Sequence, residues 1–294
     1  MSKLVIRWDI DTHKCIRDGV PLLLDVAENY QVPFTFFLNT GQAVAFKDSL
    51  KSMLKIENSQ SEAEEVLMMS ARSKFGNKDY LEAALRNPSL MEYKDNIIRL
   101  YNSSCELGLH GGRNHALWQK YASTWTKDQV ADELYWALEE IRHVIPEYKA
   151  AGFLSPGWNT PEGLDEALKW IGFTYCADYR RMGESELIDN TRAVPFVGTN
   201  LLYEPGAVAF LEGSRVRGMS DDDILQAVRD SLMNREITVM YDHPYYGACT
   251  EIELVKKIVE MALDMGVEMT TLASLLEGGV SEADGGRICT QNSP

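Results

Sequence analysis

Two short runs hold most of the residues that could do chemistry. WDIDTH puts Asp9 and Asp11 two apart at the end of an apolar run, and LGLHGGRNH puts His110 and His115 at the end of another. Residues two apart in a strand point to one face, so both carboxylates can face the same pocket. Such a pair suits a metal ligand beside a base; the plainer account is that one of the two caps the segment that follows. Histidine is scarce, with five in 294 residues, and two of them at one strand end beside Gly111 and Gly112 is the composition of a metal site. The H-x4-H spacing amounts to about 500° of rotation on an ideal helix, so a turn must bring the rings together. The two glycines permit one. The alternative is that one histidine is a hydrogen-bonded loop residue.

Three later strand ends add to the set. FLSPGWNTPEG breaks sharply at Pro156 and Gly157; such a turn can aim a backbone N–H at an oxyanion, and Trp158 can wall a sugar ring. A plain turn explains the same residues. CADYRR carries Asp178, Arg180 and Arg181, where an arginine can orient a carboxylate or form a surface ion pair. ITVMYDHPYYG ends at Asp242 and His243, and a histidine there is well placed as a general acid or as a structural residue.

These ends belong to alternating apolar and amphipathic stretches. Strands are predicted at Lys3–Trp8, Phe34–Leu38, Glu106–Leu109, Ala150–Leu154, Phe173–Ala177, Arg192–Phe196, Ile237–Tyr241 and Val267–Thr270. Helices are predicted at Gly19–Tyr30, Asp128–Val144, Glu162–Ile171, Asp221–Asn234 and Glu251–Met265. Repeated strand–helix units imply a parallel sheet, and seven or so units imply a closed or nearly closed β/α barrel. Such a barrel has its chemistry at the C-terminal strand ends, where Asp9, Asp11, His110, His115, Asp178 and His243 would share one mouth. One domain is expected over residues 1–277, interrupted by an insertion at about 43–97. A polar, frayed tail is expected at 278–294.

The ordered motifs WDIDTH, LHGGRNH, SPGWN, ADYR and MYDHP resemble those of the polysaccharide deacetylase (NodB-homology) family over nearly the whole chain. RWDIDT with RDGVPLLL, LGLH with HALW, and AVP resemble its branch that deformylates 4-deoxy-4-formamido-L-arabinose-phosphoundecaprenol. The resemblance implies a distorted (β/α)7 barrel with a helical insertion after the second strand. It also implies a divalent metal, usually zinc, that polarises an amide oxygen and acidifies water. By position, Asp9 matches the general base and His243 the general acid. Asp11 and His110 match metal ligands, and Pro156, Gly157 and Trp158 match the oxyanion and substrate wall, with Asp178 beside it. The chain departs from the family twice. The second motif is normally H-x3-H, so either His115 binds through a bulged loop, or Asn114 is the ligand, or the metal is lost. The arginine expected just before the Pro turn is absent, and Arg180 is a substitute from the next loop.

The totals narrow the field. A net charge of −15 repels phosphate backbones, so nucleic acid is not an expected partner. Five dispersed cysteines without CxxC spacing fit a reducing compartment. No signal peptide and no transmembrane run is apparent, so a cytoplasmic protein is expected, and a homo-oligomer is compatible with the sequence. The insertion carries Lys47, Lys51, Lys55, Arg72, Lys74 and Lys78, which suit either a phosphate of a lipid-linked substrate or an ordinary solvated face. The leading expectation is a metal-dependent hydrolase that removes a formyl or acetyl group from an amino sugar or sugar-lipid. The alternatives are an altered-metal or metal-free hydrolase of a cyclic amide or ureide, and a non-catalytic sugar-binding barrel.

Overall fold

In a computed structural model, residues 2–43, 89–178, 187–203 and 208–280 are described. In chain order the first elements are β1 (Lys3–Ile10), α1 (Val20–Tyr30), β2 (Thr35–Leu38), α2 (Lys94–Tyr101), β3 (Glu106–His110), α3 (His115–Tyr121) and α4 (Lys127–Val144). There follow β4 (Gly152–Leu154), α5 (Leu164–Ile171), β5 (Tyr175–Cys176), β6 (Ile188–Asp189), β7 (Phe196–Val197) and α6 (Phe210–Val216). The last are α7 (Asp221–Asn234), β8 (Ile237–Asp242), α8 (Pro244–Cys249), α9 (Ile252–Asp264), β9 (Glu268–Met269) and α10 (Leu272–Val280). Most of the expected insertion, together with Arg180 and Arg181, lies outside the described residues.

β1 runs two residues past its predicted end because both its edges are paired. It bonds β8 over Lys3–Trp8 and β2 over Arg7–Ile10, in parallel on both sides. Asp9 is therefore a strand residue, and Asp11 sits one step past the strand. From β1 the sheet continues through β2, β3, β4, β5 and β7, parallel throughout, with β6 antiparallel on β7 and β9 added at the start of β1. The sheet curls until the chain after β7 meets β8. There Leu201 bridges Met240, and the Asn200 side chain donates to the Ile237 carbonyl and accepts the Val239 N–H, both at 2.8 Å. Closure through one bridge, where a full strand would be regular, is the distortion of this (β/α)7 barrel.

The curl separates alternate residues of each strand. Leu4, Ile6, Trp8 and Ile10 of β1 pack outward with Val20, Leu23 and Leu24 and with the core-facing residues of α4, α7 and α9. Val5 packs inward with Phe37, Leu154, Tyr175, Val197 and Val239, and Arg7 and Asp9 follow on the same face. The N-terminal end of the barrel is plugged by α10 through Leu272 and Leu275. Its first N–H groups, left without helical partners, donate to Thr35 Oγ1 and Glu106 Oε2. The Glu106 carboxylate also accepts the Thr35 and Tyr175 hydroxyls. With one end plugged, the other, at the C-terminal ends of the strands, is where a site can form.

Two local predictions are corrected. The strand expected at Arg192–Phe196 is only Phe196–Val197. Arg192 and Thr191 fold back onto the Asp189 carboxylate, which makes a turn where an extended run was expected. The short helices α3, α6 and α8 were not anticipated, being six or seven residues long, too few to show a periodicity. Among the described residues no helix is long and apolar enough to cross a membrane.

Burial pushes the Glu106 carboxyl above its ordinary value of 4.5. A carboxyl raised on folding contributes its full stability below its unfolded value and loses it as pH rises through the folded one. Glu106→Gln should remove that loss, so wild type loses stability relative to the variant from pH 4 towards pH 7. Urea unfolding over that range checks it; a difference independent of pH contradicts it.

Candidate active site

At the open end, Asp11 is the meeting point. His110 ends β3, and its Nε2 lies 3.1 Å from Asp11 Oδ1; His115 Nε2 lies 3.4 Å from the same oxygen and 3.1 Å from His110 Nε2. His243, just past β8, brings its Nε2 to 3.3 Å from Asp11 Oδ2. All four side chains are buried. Asp11, His110 and His115 form a group whose ligand atoms could hold one metal ion.

The donor chemistry favours a cation there. His110 Nδ1 lies 3.0 Å from the Leu154 carbonyl, an oxygen that only accepts, so that nitrogen carries the proton. In the neutral ring, Nε2 then presents a lone pair to the Asp11 carboxylate. Two acceptors 3.1 Å apart repel unless a cation or a proton lies between them. This carbonyl-oriented imidazole is the usual arrangement behind a metal-binding histidine.

The extra residue in the second motif is absorbed locally. Gly111 takes a left-handed φ of +80° directly after β3, while its N–H still bonds the Leu154 carbonyl at the end of β4. Asn114 does not face the cluster with its carbonyl: Oδ1 accepts the Leu117 N–H and caps α3. The residue one further on, His115, begins the helix and reaches the site.

Asp9 is gripped by a residue that motif reading overlooked. Arg7, two positions earlier on β1, donates from Nε and Nη2 to both Asp9 oxygens, at 3.0 and 2.9 Å. Its Nη1 bonds the Ala177 carbonyl and Thr199 Oγ1. Arg7 is fully buried, and its guanidinium lies 4.7 Å from the Trp158 ring and 4.9 Å from the Tyr241 ring. An arginine from the first strand thus stands beside Asp9, where the missing arginine of the third motif was sought in Arg180. The only sequence signal for it was a charged residue at an inward position of an apolar strand.

The turn after β4 supports this group. Gly157 and Trp158 both take left-handed φ, at +61° and +59°. For tryptophan that conformation costs about 1–2 kcal/mol. The turn is held by Trp158 N–H to the Ser155 carbonyl and by the ring's contact with Arg7. Pro156 is buried and Gly157 exposed. Asp178 lies under the turn, accepting the Ser155 N–H and the Thr160 hydroxyl, and burial raises its carboxyl above the ordinary range. It braces the turn from below.

His243 is oriented from its far side. Nδ1 lies 3.0 Å from Glu212 Oε1, on α6, a carboxylate that sequence reading also missed. Asp242 completes the surroundings, with its oxygens on the Leu211 and His243 N–H groups; burial and the Glu212 charge push its carboxyl well above its usual range.

No family model matches the chain. Among solved structures, similarity extends to a protein assigned as a polysaccharide deacetylase from Mycobacterium smegmatis, with a TM-score of 0.63, 13% identity, and coverage of 100% of this chain and 95% of that one. The peptidoglycan deacetylase PdaC from Bacillus subtilis matches with a TM-score of 0.54 and 11% identity over 95% and 92% of the two chains. A CE4 family pseudoenzyme from Bacillus anthracis matches with a TM-score of 0.53 and 11% identity over 94% and 65%. The chain therefore has the barrel fold of the polysaccharide deacetylases. That fold carries active and inactive members alike, so activity must be argued from the side chains.

Removing Arg7 should leave Asp9 buried and uncompensated. Arg7→Met is expected to cost about 3–5 kcal/mol, and adding Asp9→Asn should recover a large part. Urea unfolding of the single and double variants checks this; equal stabilities would show that the pair contributes nothing.

Proposed function

We propose that this protein is a hydrolase that removes a formyl or acetyl group from the nitrogen of an amino sugar, using a zinc ion held by Asp11, His110 and His115. The observation that carries the reading is the approach of three imidazole Nε2 atoms to within 3.4 Å of one buried carboxylate, Asp11, at the barrel mouth. The set of one carboxylate and two imidazoles matches what zinc takes in catalytic sites, with room left for water and substrate. Such an ion supplies Lewis acidity, polarising the amide oxygen and lowering the pKa of water. The names of the structural neighbours, deacetylases of polysaccharide and peptidoglycan, support the same reaction class.

The remaining steps belong to the chain. Asp9, held in plane by the two-pronged Arg7 contact, accepts a proton from the attacking water as the new C–O bond forms. His243 gives its Nε2 proton to the departing nitrogen as the C–N bond breaks, leaving a free amine and a carboxylic acid that ionises to solvent on release. Glu212 holds Nδ1 and so turns Nε2 toward the site. Trp158 and Tyr241, with ring centroids 5.6 Å apart, wall the sugar. The metal-free alternative drew on the H-x4-H spacing; against it stands the turn at Gly111, which brings His115 to Asp11. The finer assignment, a formyl group on a lipid-linked aminopentose, rests on the RWDIDT, RDGVPLLL and HALW segments.

Asp9→Asn and His243→Ala should each lower turnover of an N-formyl or N-acetyl amino sugar by about 10²–10⁴-fold. Dialysis against a chelator should abolish activity in the wild type, and zinc should restore it. Wild-type rates in both variants, or turnover indifferent to chelation, would remove this mechanism. Glu212→Gln should lower kcat with little change in KM, because Glu212 bonds His243 and not the substrate.

A further inference from the structure

We propose that Asn39 is a positioning residue that locks Asp11 in register with the loop carrying His115, and so sets the affinity of the site for its metal. The inference rests on the metal reading of that site.

Asn39 follows β2 and is fully buried. Its backbone N–H bonds the Ile10 carbonyl at 3.2 Å, which fixes it beside the end of β1. Both ends of its amide are engaged. Nδ2 donates to the Asp11 carbonyl at 3.2 Å, and Oδ1 accepts the Gly41 N–H at 2.9 Å. The partners leave no choice of orientation, because the carbonyl needs a donor and the N–H an acceptor.

From Gly41 the connection continues along the backbone. Gln42 N–H donates to the Arg113 carbonyl at 3.0 Å, and His115 N–H donates to the Gln42 carbonyl at 2.9 Å. The two segments are in such close contact that a Cβ on Gly41 would lie 2.3 Å from the Gly112 and Arg113 carbonyl oxygens. The loop lengthened by one residue, relative to H-x3-H, is therefore held by a parallel bridge, Gln42 to Asn114. Asp11 follows the end of β1, and His115 lies past the end of β3. One buried amide joins them: Asp11 to Asn39, Asn39 to Gly41, Gln42 to His115. Moving either end by a few tenths of an ångström alters the 3.4 Å approach of Asp11 to His115.

Asn39→Ala removes both bonds. Asn39→Asp keeps the acceptor for Gly41 but sets an oxygen against the Asp11 carbonyl. The experiment measures zinc affinity of the full chain by competition with a chromophoric chelator, alongside thermal unfolding of the metal-free proteins. The expected result is an affinity about 10–100-fold weaker in each folded variant, the range typical when a residue that hydrogen-bonds a metal ligand is replaced. Asn39→Asp, isosteric with the native side chain, keeps the test open if the alanine variant does not fold. Affinity within about threefold of wild type, whatever happens to the melting temperature, overturns the proposal, because a merely structural residue moves stability alone. A wild-type chain that binds no zinc overturns the metal reading and this inference together; a wild type that binds zinc as tightly as its variants overturns this inference only.

Discussion

A single carboxylate surrounded by imidazole nitrogens governs this mouth. Asp11 receives Nε2 of His110, His115 and His243 at 3.1, 3.4 and 3.3 Å, all of them buried. Lone pairs and charges packed that closely repel or bind according to what lies between them, and burial amplifies either outcome. The surroundings answer this demand from the far side of each group. The Leu154 carbonyl takes the other nitrogen of His110, and Glu212 that of His243. Asn39 takes the backbone carbonyl of Asp11, and Arg7 both oxygens of the neighbouring Asp9. Nε2 of His110 and Nε2 of His243 are thereby left facing Asp11.

The barrel makes this possible by giving alternate strand residues to different tasks. On β1, Leu4, Ile6, Trp8 and Ile10 bind the helices, while Val5, Arg7 and Asp9 pass from plug to brace to site. The distortion also places side chains around this mouth. Where the chain after β7 reaches β8 by a single bridge, Thr199 comes near enough to accept from Arg7, and the following segment leads into α6 with Glu212. A regular strand at that place would carry its residues elsewhere.

Much of this was legible in the sequence. α7 begins where Ser220 forms a capping box with Asp223, and it spans the residues that its periodicity predicts. The strand ends at Asp9–Asp11, His110 and His243 could be read because charged residues interrupt apolar runs there. Arg7 was not legible as a site residue, since the run KLVIRW shows one arginine and only the curl reveals which way it points. Glu212 was hidden by the shortness of α6, and Asp178 looked like a site residue although it is bonded beneath the turn. Asn39 had no motif at all; its role is visible only once the Asp11 carbonyl and the Gly41 N–H are seen on either side of it.

X-ray absorption at the zinc edge, on the chain loaded with one equivalent of zinc, tests the central claim most directly. The account predicts a first shell of nitrogen and oxygen with the scattering signature of two imidazoles, reduced to one imidazole in His115→Ala. A shell containing sulfur, or one unchanged by that substitution, would contradict it.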